Sequence, residues 1–287
     1  MKFYIFTLLI IIGCTSNRIS QVPSKNQSLP QKQALNNTEK IEHSSKNISF
    51  SDIKKYLDNN ELPPQDRINI SKMVSDFYYD YLTPAGENLF SVHTEVIECP
   101  WNNKNWLVLI GIQGTRKNQG NIIAKNLHID LAFASDVISH RLVNDGDNLS
   151  SFHEKEVKSN YTKTLLYEIE HSGDFTEYRN ESALIIDGVF VPNASHREYN
   201  ILNLSMSYNN GKKMNLAVKK HGKTNQDPSQ RFKLSSAIAM MGMLLKQNSL
   251  QKINTKIIID NLMTLPEEKY HFKKELLQMV DKMNSLL

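Results

Sequence analysis

Trp106-Leu107-Val108-Leu109-Ile110-Gly111-Ile112 is apolar at successive positions rather than at alternate ones. A strand with one face in water alternates, so this run predicts a central strand covered on both faces. Before it, Phe90, Val92, Thr94 and Val96 alternate with more polar residues, which predicts a half-buried neighbour. Pro100-Trp101-Asn102-Asn103 supplies the hairpin between the two. After residues 115–123 alternation returns at Leu127, Ile129, Leu131 and Phe133, and again at Leu165, Tyr167 and Ile169. Such faces require a shared core. Leu202, Leu204, Met206 and Tyr208 form another strand, and Asn210-Gly211 provides the positive φ angles of a two-residue turn leading to Met214, Leu216 and Val218. Residues 172–198 carry the weakest pattern, with 184–191 apolar enough for an extra strand or a partly buried loop.

Helical spacing brackets these strands. Ser49 or Ser51 caps a short helix through Ile53, Tyr56 and Leu57, ended by Leu62-Pro63-Pro64. A second helix is expected after Gln65, carrying Ile68, Met73, Val74 and Phe77. Beyond Lys219, Asp227 is expected to cap and Pro228 to open a helix with Phe232, Ala239, Met243 and Leu244 on its apolar stripe. Thr255 starts a shorter helix. Pro266-Glu267-Glu268 opens a last one with Phe272, Leu276, Val280 and Met283, and Lys282 suits its C-terminal dipole. The expected fold class is α+β: an antiparallel β-sandwich with an N-terminal helical arm and a C-terminal helical cap.

The first residues read as a processing signal. Lys2 precedes the apolar run 3–12, too short to span a bilayer, and Gly13-Cys14 follows. This resembles a bacterial lipobox, which implies cleavage after Gly13, lipid on Cys14 and a membrane-anchored protein facing the periplasm or cell exterior. Residues 14–47, rich in Ser, Asn, Gln and Lys, read as a disordered tether because they offer too little apolar surface to offset chain entropy. Of 34 Lys and Arg and 30 Asp and Glu, six basic and two acidic residues precede residue 48, leaving 28 of each sign beyond it. The basic character belongs to the tether and suits an anionic lipid surface; a nucleic-acid binder would concentrate it on the folded module. With Cys14 lipidated, Cys99 is a lone thiol and no disulfide framework exists.

A family resemblance rests on several unusual elements in order. Leu62-Pro63-Pro64, Phe77-Tyr78-Tyr79-Asp80-Tyr81, Pro84-Ala85-Gly86-Glu87, Phe90-Ser91-Val92, Thr94-Glu95-Val96, Cys99-Pro100-Trp101 and Ile110-Gly111-Ile112-Gln113-Gly114 resemble the region that precedes the von Willebrand factor A (vWA) domain in bacterial lipoproteins of the YfbK type. Ala124-Lys125-Asn126-Leu127-His128-Ile129, Arg141-Leu142-Val143, Leu165-Leu166-Tyr167-Glu168-Ile169, Arg231-Phe232 and Gly242-Met243-Leu244-Leu245 are similar to the region that follows it. Residues 115–123 stand where the vWA domain is expected, and a domain of roughly 180 residues does not fit there. The resulting division is signal peptide 1–13, tether 14–47, vWA-preceding module 48–114, junction 115–125, β-sandwich module 126–220 and C-terminal helical subdomain 221–287.

A vWA domain holds a divalent ion through Asp-x-Ser-x-Ser with distant Thr and Asp ligands. The chain has no such motif, and Asp147-Asn148-Leu149-Ser150 has the wrong spacing. His93, His128, His140, His153, His171, His196, His221 and His271 show no paired ligand spacing, so neither metal nor cofactor is expected. His93 and Cys99 share a face of one strand but stand about 20 Å apart along it, too far to activate a thiol. No catalytic site is expected; an enzyme using Cys99 or a carboxylate pair is the alternative. Trp101, Trp106, Tyr78, Tyr79 and Tyr81 fit packing between helical arm and sheet better than an exposed patch. The expected function is a lipid-anchored, non-enzymatic interaction or structural module. Its interaction surface is placed at Trp101, Gln113, Arg116, Lys117 and Asn121, and its partner is a protein, in the specific form a separately encoded vWA protein docking near the junction.

Overall fold

The computed structural model describes residues 48–117, 120–143, 149–172, 178–179, 184–186, 189–191, 197–221, 227–247 and 253–287. The expected signal peptide, Cys14, the expected tether, Asp147, Asn148, His196 and the expected cap's neighbours 222–226 lie outside them. Two short helices, α1 (Phe50–Asp58) and α2 (Ile70–Ser75), precede strands β1 (Phe90–Cys99), β2 (Asn102–Gly114), β3 (Ile122–Phe133), β4 (Val137–Leu142), β5 (Ser151–Lys158) and β6 (Thr162–His171). Short strands β7 (Tyr178–Arg179), β8 (Leu184–Ile186) and β9 (Val189–Val191) lead to β10 (Arg197–Tyr208) and β11 (Lys212–His221). Helices α3 (Gln230–Leu245), α4 (Thr255–Met263) and α5 (Lys273–Leu286) close the chain.

The long strands make two antiparallel sheets, β1-β2-β6-β4 and β11-β10-β3-β5, with β7 added on β10. Val108, Ile110, Leu165 and Tyr167 of the first sheet share one apolar cluster with Leu127, Ile129, Leu204 and Val218 of the second, so the two pack face to face. The opposite face of the first sheet, through Leu107, Leu109 and Leu166, joins a second cluster with α1 to α5. The architecture is α+β, three layers deep: helices, a sheet buried on both sides, and a sheet with one face in water. Residues 107–114 of β2 are buried without interruption, as the apolar run requires. β6 is likewise buried from Thr164 to Ile169, although its sequence alternates, because the second sheet covers one of its faces and the helical layer the other.

Ser49 caps α1 and α4 starts at Thr255 as expected, whereas α2, α3 and α5 begin later than their sequence signals. Asn69, through its side-chain oxygen on the Lys72 N–H at 2.7 Å, starts α2 at Ile70 and leaves Ile68 extended. Ser229, not Asp227, caps α3, accepting from the Phe232 N–H at 3.2 Å, while Asp227 pairs with Lys233 at 2.9 Å. α5 starts at Lys273 because residues 265–272 form turns, and Lys282 is drawn to Asp58 of α1 at 2.6 Å. The loop joining β10 to β11 has three residues: Tyr208 pairs with Lys212, enclosing Asn209, Asn210 and Gly211, all at positive φ. Similarly, Asn102 is paired with Cys99, so only Pro100 and Trp101 make the first hairpin turn.

Candidate functional site

The junction is a seven-residue surface connection, residues 115–121, carrying the chain from β2 in one sheet to β3 in the other. β3 already begins at Ile122, so the sandwich starts inside the expected 115–125 junction. Both ends of the connection are held by the turn between β5 and β6. Tyr161 accepts from the Gly114 N–H at 2.7 Å, the Asn160 N–H donates to Thr115 at 2.8 Å, and the Ser159 N–H donates to Asn121 at 2.9 Å. One turn therefore fixes the exit and re-entry points independently of what lies between them. A surface loop with pinned ends tolerates insertion, and each doubling of loop length costs only about 0.6 kcal/mol. Inserting seven Gly and Ser residues after Gly120 is therefore expected to cost less than about 1 kcal/mol in urea unfolding.

The expected surface residues do not form one group. Gln113 is 1% exposed. Its amide donates to Gly114 and Tyr161, and its oxygen accepts from Thr162 at 3.0 Å, so it knits β2 to β6 and is no contact residue. Trp101 stands at the other end of β2, twelve residues away, which is roughly 40 Å along a strand. It is partly buried against the helical cluster. Of the five expected surface residues, Arg116, Lys117 and Asn121 are the ones exposed at the junction.

These cations tie the junction to residues 78–87. Arg116 donates to the Tyr78 hydroxyl at 3.0 Å and lies over that ring at 5.8 Å. Tyr78 in turn donates to Asp80, which pairs with Lys269 at 2.6 Å. Hydrogen bonds from Lys269 and then Tyr78 hold the Asp80 carboxyl below its usual range. Lys117 donates to the Gly86 carbonyl at 3.0 Å and stands 3.7 Å from Glu87. The composite surface exposes Tyr78 (52%), Leu82 (70%) and Ile122 (42%) among charged groups. Exposed apolar side chains beside cations are the residue types that recognition surfaces use. Tyr78 and Leu82 were not legible as exposed, because Tyr79 and Tyr81 beside them are buried in the core.

The aromatic packing behind this surface is close. Gly111 has no Cβ, and the Tyr81 ring occupies that space, bonding Thr164 Oγ1 at 3.1 Å, stacking on His93 at 5.3 Å and lying under Arg231 at 5.7 Å. Glu95 of β1 accepts from the N–H and hydroxyl of Ser229, anchoring the first turn of α3 on the sheet. Burial, then the Arg231 charge against the Leu82 carbonyl's opposing pull, holds His93 below its usual pKa.

At the far end of β2, Glu168 is 5% exposed and accepts from Trp101 Nε1 at 2.8 Å, Asn105 Nδ2 at 2.7 Å and the Arg141 guanidinium. Burial alone would raise its pKa; the indole N–H, the Arg141 charge and the amide outweigh it and hold the carboxyl below its usual value. Cys99, beside it and 2% exposed, has its thiol pushed up to about 12, first by burial and then by Glu168. A nucleophilic cysteine needs the opposite environment. Among the described residues no group of three or more His, Cys, Asp or Glu is arranged to hold a metal ion, and no helix is long and apolar enough to cross a membrane.

Comparison with known families follows this division. A family model described as von Willebrand factor matches residues 24–109, and one described as Uncharacterized protein YfbK, C-terminal, matches residues 123–286. The first covers α1, α2, β1 and most of β2, starts within the stretch read as a tether, and contains no Asp-x-Ser-x-Ser. No curated protein matches. The two matches define the class, a vWA-related protein-interaction module. The chain belongs to the YfbK C-terminal family, whose model covers more than half of it.

Proposed function

We propose that the protein is a lipid-anchored, extracytoplasmic, non-enzymatic scaffold that docks a separately encoded vWA-domain protein on its junction surface. The observation that carries this reading is the seven-residue crossing between the two family matches, with both ends pinned and its Arg116 and Lys117 tied to the exposed loop bearing Tyr78 and Leu82. A vWA domain inserted in such a loop would rest on these residues; supplied in trans, it meets the same surface. Arg116, Lys117, Asn121, Tyr78, Leu82 and Ile122 make the contact, and Gln113 supports it from within. The lipid on Cys14 holds the scaffold at the membrane.

The non-enzymatic reading is supported by the state of the two groups from which an enzyme would be built. Cys99 is buried with its thiol pushed up to about 12, and the Glu168 carboxylate is saturated by donors. The test is chemical crosslinking of the full chain in its native cell, followed by mass spectrometry of the captured proteins and of lipid on Cys14. Repeated recovery of a vWA-domain protein is expected; recovery of none, with the chain found unlipidated in the cytoplasm, contradicts the reading.

A further inference from the structure

We propose that His128 and His153 form a binding site for a late first-row divalent metal ion, Zn2+, Cu2+ or Ni2+, on the water-facing side of the second sheet. They are twenty-five positions apart in sequence and directly opposite each other on β3 and β5. The Leu131 N–H donates to the Ser150 carbonyl across this ladder, so the odd residues of β3 make the hydrogen-bonded pairs. His128 and His153 are therefore a non-hydrogen-bonded pair, the position where opposed side chains come closest. Both are exposed. Their ring centroids are 4.3 Å apart with planes 30° from parallel.

This geometry differs from that of the other histidines with close ring contacts. His93, His140 and His171 lie against Tyr81, Phe133 and Trp106. His128 and His153 face each other instead. Zinc–nitrogen bonds of about 2.0–2.1 Å at a tetrahedral angle set two donor nitrogens about 3.3 Å apart. Side-chain rotation alone brings rings at this spacing to that separation, because the paired backbones already hold them opposed. Imidazole nitrogen selects late transition ions over Ca2+ and Mg2+, which take oxygen cages.

The neighbours carry both signs: Lys213 stands opposite Ser207, and Lys155 lies two residues from His153 on the same face of β5. On the same face, the next pair is Asp130 and Ser151, whose hydroxyl donates to the carboxylate at 2.6 Å, and Ser207 of β10 lies opposite His128. Asp130 brings negative charge near the ion without being a ligand. β5 is an edge strand, so the approach from its side is open and water fills the remaining coordination positions. Local sequence spacing carries no sign of this site, since only the strand register creates it.

Zn2+ titration of the untagged full chain by calorimetry, beside His128→Gln and His153→Gln, tests the assignment. One saturable site is expected in the wild type, weakened at least about tenfold in each variant, because loss of even an outer contact to a ligand costs tenfold or more. The ring-proton resonances of both histidines are expected to shift together on addition of Zn2+ and to stay fixed with Mg2+. Binding unchanged in both variants, or no saturable binding at about 1 mM Zn2+, overturns the site. Circular dichroism spectra matching the wild type show that the variants fold.

Discussion

Gly111→Ala is expected to lower the melting temperature by about 5–10 °C, the effect of about 2–3 kcal/mol in a domain of this size. A Cβ at position 111 would lie 2.1 Å from two atoms of the Tyr81 ring, well inside contact distance. The ring has nowhere to go. It is 2% exposed, bonded to Thr164, stacked on His93 and overlain by Arg231. Cross-strand register puts His93, Gly111 and Thr164 side by side on β1, β2 and β6, so the Tyr81 side chain lies across three strands at once. Relief should come from the ring itself: in Tyr81→Ala, which already opens a cavity, adding Gly111→Ala is expected to cost far less. A double-mutant cycle by urea unfolding measures that coupling. Additive costs would show that the contact is not the reason for glycine.

Arg141→Ala should cost about 2–4 kcal/mol at neutral pH, because it leaves the Glu168 carboxylate buried with neutral donors only. The sign of its pH dependence follows from the state of Glu168. In the wild type the folded carboxyl lies below its ordinary value of 4.5, so the site contributes stability that is present above that value and lost as pH falls through the folded pKa. Without Arg141 the principal cation is gone and burial pushes the pKa upward. The stability gap between wild type and variant is therefore expected to be full at pH 7 and to shrink below about pH 4. Urea denaturation at the two pH values checks this; a gap independent of pH would mean that Arg141 acts by packing alone.

Much of the fold is legible in the residues, and the exceptions have physical causes. The unbroken run 106–112 correctly marks a strand covered on both sides. β6 alternates in sequence, yet it is equally covered, because the helices bury the face that water would otherwise meet. Strand β5 has only Phe152 and Val157 as apolar residues and gives no strong pattern; pairing with β3 makes it a strand. Caps at Asn69 and Ser229 displaced stronger-looking signals nearby, since a single side-chain hydrogen bond decides where a helix starts. Within 184–191, where the sequence allows an extra strand or a loop, β8 pairs antiparallel with β9.

The candidate site was legible in position but not in membership. Proximity in sequence to the junction brought Gln113 into the group, whereas β2 is buried on both faces through Gly114 and the chain reaches water only past the strand end, at Arg116 and Lys117. Trp101 entered as an aromatic beside a turn, yet β2 carries that turn to the opposite end of the sheet. Tyr78 and Leu82 reach the surface because residues 77–82 alternate, with Phe77, Tyr79 and Tyr81 turned into the core and Tyr78 and Leu82 turned out. The three tyrosines mask that period, since a tyrosine stands on both sides of it.

Site-specific photocrosslinking tests docking at the junction most directly. A photoreactive residue is placed at Lys117 in one full-length chain and at His153, on the water-facing side of the second sheet, in another, and both are irradiated in the native cell. Capture of a vWA-domain protein from position 117 and not from position 153 is the expected result. Equal capture from both positions, or capture from 153 alone, would contradict docking at the junction.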